Sequence, residues 1–186
     1  MDSMKITENL EALNVLKKDS QRAQKRGLPF MMASVVIWGM ILGTQLLDKT
    51  VSAKNFYAFA CSAMLMPLAF AFSKLIRTDV FRKSKNPIDQ LGFLCTMNQM
   101  LYLVIVMWAF SQKPEAMVML YAMVFGAHLL PFGWVYDSKA YYVFAVADCI
   151  GAMVIRLAFG NVAMVGFIIC MQIALCVLLF QEIRRE

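Results

Sequence analysis

The sequence predicts an all-α integral membrane protein, in which six transmembrane helices follow a short amphipathic, basic N-terminal helix. Of its 186 residues 61% are apolar and 16% are charged, whereas soluble domains average about 45–50% and about 25%. A soluble domain of this size has too much surface for so few charged groups. The apolar residues also fall into runs of about 20, the length that crosses a hydrocarbon core of about 30 Å.

Residues 1–27 form the predicted N-terminal unit, a polar helix. Ile6, Leu10, Leu13 and Leu16 recur at helical spacing, and acidic residues precede basic ones, as the helix dipole favours. Gly27 is a suitable stop. We expect this helix to lie on the anionic inner leaflet of a membrane or to dock a partner.

Residues 28–186 form the predicted membrane domain. Its six spans are expected at residues 28–47, 55–74, 90–111, 116–136, 141–158 and 161–181. Pro67 lies inside the second span and should kink it, and Pro131 lies near the end of the fourth. The apolar stretch from Tyr141 to Phe180 would be about 60 Å long as one helix, twice the bilayer core. It must therefore fold back, and Phe159-Gly160-Asn161 is the natural breaker.

The distribution of lysine and arginine predicts the orientation. With these spans, 14 of the 18 basic residues lie on the side of the termini and 4 on the other side. Basic loops stay in the cytoplasm, so we expect a multi-pass protein of the plasma (inner) membrane with both termini cytoplasmic. The net charge of +6 is explained by this asymmetry, and no nucleic-acid partner is expected.

Polar side chains deep in the predicted spans mark the candidate ion or solute pathway, because such groups are costly in lipid. Asn98, His128, Asp148 and Gln172 each lie about 10–14 Å from the inner end of four successive spans. Gln99 lies at the same depth, about 100° around the helix from Asn98, and is expected to face a different neighbour.

Asp148 is the one carboxylate expected deep in the membrane, and small residues flank it at helical spacing. Either it pairs with His128, the single histidine, or it is protonated and donates a hydrogen bond. The alternative role for all these polar groups is to hold helices together, through bonds worth about 0.6–2 kcal/mol each.

Other features point to packing and to lipid. Gly39-x-x-x-Gly43 permits close helix contact, either within the chain or between protomers of a homo-oligomer. We expect basic residues of the inner loops to contact anionic headgroups: Lys74, Arg77, Arg82, Lys83, Lys85 and Lys139. No catalytic, metal-binding or cofactor-binding motif is present, so no catalytic residue, metal or cofactor is assigned.

Three functions remain open. The first is a transporter or channel for a small ion or solute, proton-linked through His128 and Asp148, which requires a water-accessible cavity in mid-membrane. The second is a non-catalytic interaction or sensing subunit, which requires a dry core and a docking N-terminal helix. The third is a membrane-embedded enzyme acting on a lipid, which requires a lateral opening and a nucleophile or base within about 3.5 Å of His128. No nucleophile is evident, so the enzyme ranks last.

Three stretches carry a family resemblance: Leu65-Met66-Pro67-Leu68-Ala69 with Ser73-Lys74, Met97-Asn98-Gln99-Met100-Leu101-Tyr102, and Phe125-Gly126-Ala127-His128-Leu129-Leu130-Pro131 with Gly133-Trp134 and Ser138-Lys139. Together they resemble a family of small bacterial multispanning membrane proteins classed as a domain of unknown function. The resemblance covers nearly the whole chain after Gly27 and implies no known activity. Asn98, Gln99 and His128 lie inside these motifs, and Asp148 does not.

Overall fold

A computed structural model of the protein describes residues 2–80, 82 and 84–185, and this part of the chain is helical with no strand. The helices are α1 (Asp2–Gln24), α2 (Leu28–Leu46), α3 (Val51–Ser62), α4 (Leu65–Leu75), α5 (Pro87–Gln112), α6 (Met117–Val135) and α7 (Lys139–Arg184). Two 3₁₀ turns, Lys25–Gly27 and Pro114–Ala116, precede α2 and α6. The predicted all-helical class is confirmed.

Five helical stretches in the described residues are long and apolar enough to cross a membrane. They are Met4–Leu46, Val51–Leu75, Pro87–Gln112, Pro114–Val135 and Lys139–Arg184. The outer surface has the matching chemistry, since α5 exposes 68% of Leu101, 63% of Val104 and 61% of Met107. An apolar surface of this kind is unfavourable in water and suits lipid. These are the features of a multi-pass membrane protein.

The helix α7 folds back on itself at Gly160, as the length of the apolar stretch predicts. Gly160 has φ 88° and ψ −179°, a conformation that is essentially restricted to glycine. Nε2 of Gln172 donates a hydrogen bond to Oδ2 of Asp148 over 2.7 Å, although 24 positions of straight helix would separate these residues by about 36 Å. The two halves of α7, residues 139–159 and 161–184, therefore lie side by side.

A sharp elbow joins α1 to α2. Lys25, Arg26 and Gly27 have positive φ angles of 45°, 51° and 74°, in the left-handed region that residues other than glycine seldom adopt. Gly27, the predicted stop of the N-terminal helix, is the N-cap of α2. A Cβ atom at Gly27 would lie 3.1 Å from the side chains of Tyr136 and Tyr141. The chain therefore turns tightly against these two rings.

The elbow lays the second half of α1 across the end of the bundle. The ammonium group of Lys17 lies 4.4 Å from the ring centre of Trp134, and Nδ2 of Asn86 donates to the carbonyl of Leu16 over 2.8 Å. The first half of α1 extends away from these contacts, and 58% of Ile6 is exposed. The predicted apolar stripe of α1 is thus only partly covered by the described chain.

The predicted second span consists of two helices, α3 and α4, separated by Ala63 and Met64. Pro67 has no N–H to donate to the carbonyl of Ala63, and its ring obstructs the preceding turn. The helix therefore breaks just ahead of Pro67, where a kink is predicted. In contrast, α6 continues through Pro131 to its end.

Side-chain caps start two helices earlier than predicted. The hydroxyl of Thr50 accepts a hydrogen bond from the backbone N–H of Ala53 over 3.3 Å, and α3 begins at Val51 instead of residue 55. The side chain of Asn86 accepts from the N–H of Ile88 over 2.9 Å, and α5 begins at residue 87 instead of 90. Thr and Asn at these positions satisfy backbone donors that the first helical turn leaves free.

The connections between helices gather at two ends of the bundle. At the basal end, the guanidinium of Arg26 in the elbow lies 3.2 Å from the carboxylate of Glu182 near the end of α7. At the distal end, Asn55 of α3 donates to the carbonyl of Pro114 ahead of α6 over 2.7 Å. The chain therefore enters and leaves the bundle at the same end.

The centre of the bundle is formed by α2, α6 and the two halves of α7, with α4 packed on α2 and α5 packed on α6. Ile41, Leu129, Ile168 and Leu175 are fully buried there. The helices α4 and α5 are peripheral and expose much of their apolar surface. Of the polar side chains discussed below, Asp148 and Gln172 lie among the central helices, and Gln99 lies between the central and the peripheral helices.

The Gly39-x-x-x-Gly43 stripe makes no close contact within the described chain. A Cβ atom added at either glycine meets no atom within 4 Å, and both residues are exposed. Close packing of these glycines inside the chain was one of two predicted alternatives, and it is wrong, because this face of α2 points out of the bundle. Contact between protomers stays a prediction.

Candidate functional site

Two of the predicted midplane residues are joined in a buried cluster with Ser34. Gln172 donates from Nε2 to Oδ2 of Asp148 over 2.7 Å, and the hydroxyl of Ser34 lies 3.3 Å from Oε1 of Gln172. Asp148 and Gln172 have no exposed surface, and Ser34 is 3% exposed. Among the described residues no hydrogen-bond partner reaches Oδ1 of Asp148. This cluster ties α2 to both halves of α7.

Glycines explain how α6 and α7 approach each other at this cluster. A Cβ atom at Gly126 of α6 would lie 2.8 Å from Cβ of Asp148 and 3.0 Å from the backbone nitrogen of Cys149. Gly151, one turn after Asp148, lies against the ring of Phe167 on the other half of α7. Asp148 is therefore enclosed by close backbone contacts on two sides.

His128 does not pair with Asp148, so the first of the two predicted alternatives for Asp148 is wrong. The residue of α6 that meets Asp148 is Gly126, and two helical positions turn the chain by about 200°. His128 consequently points to the opposite side of α6, where its Nδ1 contacts the carbonyl oxygen of Phe125. Its ring lies 5.2 Å from that of Phe125 and 5.9 Å from that of Phe132.

Asn98 and Gln99 have the reverse of the predicted arrangement. The sequence predicts that Asn98 lies in the shared polar layer, but its side chain is exposed on the outside of α5. Gln99 is 8% exposed and faces the bundle. The reason is rotational, because the two residues have the same depth and lie about 100° apart on the helix. Gln99 thus lies on the side of His128.

A cavity of about 260 Å³ lies between α2, α4, α5 and α6 and reaches His128 and Gln99. Its walls also include Ser34 of the buried cluster, Thr96 of α5 and Tyr136 at the basal end. The cavity therefore runs from the basal end to the level of the predicted polar layer. It is the surface that connects most of the polar groups singled out in the sequence.

One side of the cavity is an aromatic wall along α6. The wall consists of Tyr121, Phe125, His128, Phe132 and Tyr136, all of which line the cavity. The ring of Trp38 on α2 also lines the cavity, 5.4 Å from Tyr121 and 5.6 Å from Phe125. Trp38 is 1% exposed, so these rings form a packed cluster at the part of the cavity farthest from the basal end.

The cavity opens to the outside between α4 and α5. The lining residues Met66 on α4 and Phe93 and Met97 on α5 are 48%, 62% and 40% exposed. This is the lateral opening that a lipid-directed enzyme requires. However, the contact of His128 with Phe125 is to a backbone carbonyl, and no hydroxyl, thiol or carboxylate of the described chain bonds to the imidazole. The arrangement therefore provides a binding cavity without an identifiable catalytic pair.

A polar junction at the basal end was not predicted. Arg26 is 8% exposed; it donates to the carbonyl of Tyr136 over 2.6 Å and pairs with Glu182. The hydroxyl of Tyr141 donates to the carbonyl of Arg26 over 2.7 Å, and that of Ser138 donates to Glu182 over 3.0 Å. In the sequence, Arg26 is one of several basic residues before the first span, and no spacing signal distinguishes it from the others.

Gln24 and Asp89 extend this junction to the mouth of the cavity, which both residues line. Gln24 donates from Nε2 to Oδ1 of Asp89 over 2.7 Å and accepts from the hydroxyl of Tyr136 over 2.7 Å. The other oxygen, Oδ2 of Asp89, lies 3.6 Å from the guanidinium of Arg82 and has no hydrogen bond within the described residues. Arg82 is shared with Asp19, 3.1 Å away.

The basic residues predicted to contact lipid headgroups are exposed where they are described. Lys74, Arg77, Arg82, Lys85 and Lys139 all lie on the surface near the basal end. Lys83 lies outside the described residues. Lys74 lies over the ring of Phe70, 5.1 Å from its centre. The described residues contain no cluster of three or more His, Cys, Asp or Glu side chains arranged to hold a metal ion.

Comparison with known proteins identifies one family. A model of a family of unknown function, DUF7010, matches residues 13–182, which agrees with the resemblance seen in the sequence motifs. The matched segment contains the cavity, the buried cluster and the basal junction. Searches of curated proteins and of solved structures found no match.

Proposed function

The chain belongs to DUF7010, a family of unknown function, and we propose that it is a membrane carrier for a small solute. The cavity that runs from the basal end to His128 and Gln99 carries this proposal. In a carrier, a binding site within the membrane is open to one side at a time. The packed rings of Trp38 and Tyr121 at the part of the cavity farthest from the basal end favour a carrier over an open pore.

We propose six transmembrane spans, because α7 supplies two. Its halves contain 21 and 24 residues by their bounds, which at 1.5 Å per residue gives about 31 Å and 36 Å. Each half is long enough for a hydrocarbon core of about 30 Å. The α3–α4 pair counts as one span broken at Ala63 and Met64. An even number of spans agrees with the position of both terminal helices at the basal end.

We propose that the basal end is cytoplasmic. The segments gathered there hold 14 of the 18 lysine and arginine residues, and basic loops are retained in the cytoplasm. The exposed basic residues of this end would then contact the anionic headgroups of the inner leaflet. The solute would reach His128 and Gln99 from the cytoplasm or, through the opening between α4 and α5, from the bilayer.

Cysteine labelling at two adjacent positions tests the proposal. In a variant whose five native cysteines are replaced by alanine, Gln99→Cys introduces a thiol into the cavity, and Asn98→Cys introduces one at the same depth on the outside. A membrane-impermeant maleimide, applied to the basal side of the protein in proteoliposomes, should label Cys at 99 and leave Cys at 98 unreacted.

The matched pair gives clear outcomes. If neither thiol reacts, the cavity is dry and the carrier proposal is wrong. If the thiol at position 98 reacts as fast as that at 99, the assigned face of α5 is wrong and the proposal fails with it. Addition of a transported solute should slow the reaction at 99 alone.

The exposed half of α1 supports a second candidate function, an interaction or sensing subunit. Ile6 and Leu10 are 58% and 54% exposed, although they are apolar and share one face of α1. Deletion of residues 2–14 leaves the junction at Gln24 and Arg26 in place. If this deletion abolished the cellular role of the protein without changing solute transport, the docking function would be favoured.

A further inference from the structure

The lining of the cavity is rich in aromatic side chains and poor in charged ones. Eight of the residues that line it are Phe, Tyr or Trp, and the single charged one is Asp89; neither lysine nor arginine contributes to the described lining. Aromatic rings present a negative face to a ligand and attract cations. We propose that the solute is a small organic cation with an apolar or aromatic body. This inference rests on the proposed carrier function and names its substrate class.

The position of Asp89 supports a cationic ligand. Asp89 lies at the basal mouth of the cavity, and its side chain is 11% exposed. Oδ1 is bonded to Gln24, whereas Oδ2 has no hydrogen bond within the described chain. The nearest guanidinium, that of Arg82, is 3.6 Å from Oδ2 and also pairs with Asp19. Arg82 is therefore shared between two carboxylates, and the one nearer to it is Asp19.

The two cations of the elbow are bound by other groups. The ammonium group of Lys25 donates to the carbonyl of Ile76. Arg26 donates to the carbonyl of Tyr136 and pairs with Glu182. Lys25 binds a carbonyl outside the lining and Arg26 is paired with Glu182, so Asp89 is the charged side chain that the described lining itself presents to a ligand. An anionic solute would meet this carboxylate as a repulsive group.

The shape of the cavity sets the size and the route of the ligand. Its volume of about 260 Å³ lies near the lower limit of small-molecule sites. The wall is continuous from Phe125 to Tyr136, with successive ring centres of Phe125, His128, Phe132 and Tyr136 5.2 Å, 5.9 Å and 5.7 Å apart. A flat cation could remain in contact with a ring along the whole path. The exposed Met66 and Phe93 at the lateral opening suit a ligand that first partitions into the bilayer.

Binding of a matched pair of probes tests the inference. The probes are 1-methyl-4-phenylpyridinium, a flat cation, and 4-phenylpyridine, its uncharged analogue at pH 8. Binding of each to the purified protein in lipid nanodiscs is measured by calorimetry and by quenching of tryptophan fluorescence. We expect the cation to bind on the order of tenfold more tightly. The Asp89→Asn variant should lose this preference and retain the weak binding of the uncharged probe.

Two further variants separate charge from fold. Asp89→Glu should restore the preference for the cation. Asp137→Asn removes an exposed carboxylate of the basal end that does not line the cavity, and it should leave the affinity for the cation within about twofold of the original. Equal binding of the two probes, or an unchanged preference in Asp89→Asn, would overturn the cation assignment.

The labelling experiment distinguishes this failure from failure of the carrier proposal. If Gln99→Cys is labelled but neither probe binds, the cavity is hydrated and takes another class of solute, so only the cation inference is wrong. If Gln99→Cys is unreactive and neither probe binds, both proposals are wrong.

Discussion

Replacement of Gln172 by methionine should destabilise the protein by about 1–2 kcal/mol. The substitution keeps the volume of the side chain but removes the 2.7 Å hydrogen bond to Asp148. Since Oδ1 of Asp148 already lacks a partner within the described chain, the buried carboxyl group would then have none. An unsatisfied buried polar group costs about 1–3 kcal/mol, and helix-to-helix bonds in membranes average about 0.6 kcal/mol. The complete burial of Asp148 places the expected cost above that average.

A double-mutant cycle isolates this interaction. In Asp148→Leu, Gln172 keeps its contact with Ser34, so a loss of about 1 kcal/mol is expected. The double variant replaces both partners by apolar groups, which can be nearly neutral. Its loss should therefore be smaller than the sum of the single losses by about 1 kcal/mol.

The cycle is measured by titrating the purified proteins in mild detergent with sodium dodecyl sulfate and following the fluorescence of the three tryptophans. Additivity of the single losses to within about 0.5 kcal/mol would refute the reasoning, because unconnected side chains behave in that way.

Solute transport measured on Asp148→Leu separates the two roles considered for this residue. A stable but inactive variant would assign Asp148 to the transport cycle, whereas retained activity would assign it to helix packing.

Three further predictions concern the fold. Gly126→Ala should lower the stability by about 1–3 kcal/mol because the new Cβ would lie 2.8 Å from Asp148, and Gly160→Ala should lower it by a similar amount because of the backbone angles at this position. The control is Gly166→Ala, whose Cβ would meet no atom within 4 Å. An equal loss of stability in the control, measured by the same titration, would contradict both predictions. Arg26→Met removes the bonds of the basal junction and should lower the stability by about 1.5–3 kcal/mol. The exposed Arg22→Met should lower it by less than about 0.5 kcal/mol. Similar unfolding midpoints for the two variants would show that the junction does not stabilise the protein. Green fluorescent protein fused to either terminus should fluoresce in bacterial cells, and a dark fusion at one end alone would exclude an even number of spans.

The depth of a residue in the bundle was predictable from the sequence, because depth depends on counting along one helix. The length of the apolar stretch that became α7 required a reversal, and Gly160 provides it. The same counting placed Asp148 and Gln172 in one layer, and the two halves of α7 bring them into contact. The N-terminal helix and the break ahead of Pro67 followed from equally local rules.

The direction in which a residue faces was not predictable by the same means. In water, the buried side of a helix appears as an apolar stripe; in lipid, both sides are apolar and the stripe disappears. The sequence therefore gave no reason to prefer Gln99 over Asn98, although only Gln99 faces the cavity. His128 and Asp148 likewise share a depth but lie on opposite sides of α6.

One directional signal does survive in the sequence, and it marks the cavity. Residues 121, 125, 128, 132 and 136 are aromatic or histidine and follow one another at intervals of three or four, so they share one face of α6. Lipid-facing positions need only be apolar, and Leu and Val serve there equally well. A continuous aromatic face is therefore better explained by the surface it forms inside the bundle. Since that face and Asp89 together line the cavity for which a cationic solute is proposed, the spacing of these five residues is the part of the sequence that bears most directly on that proposal.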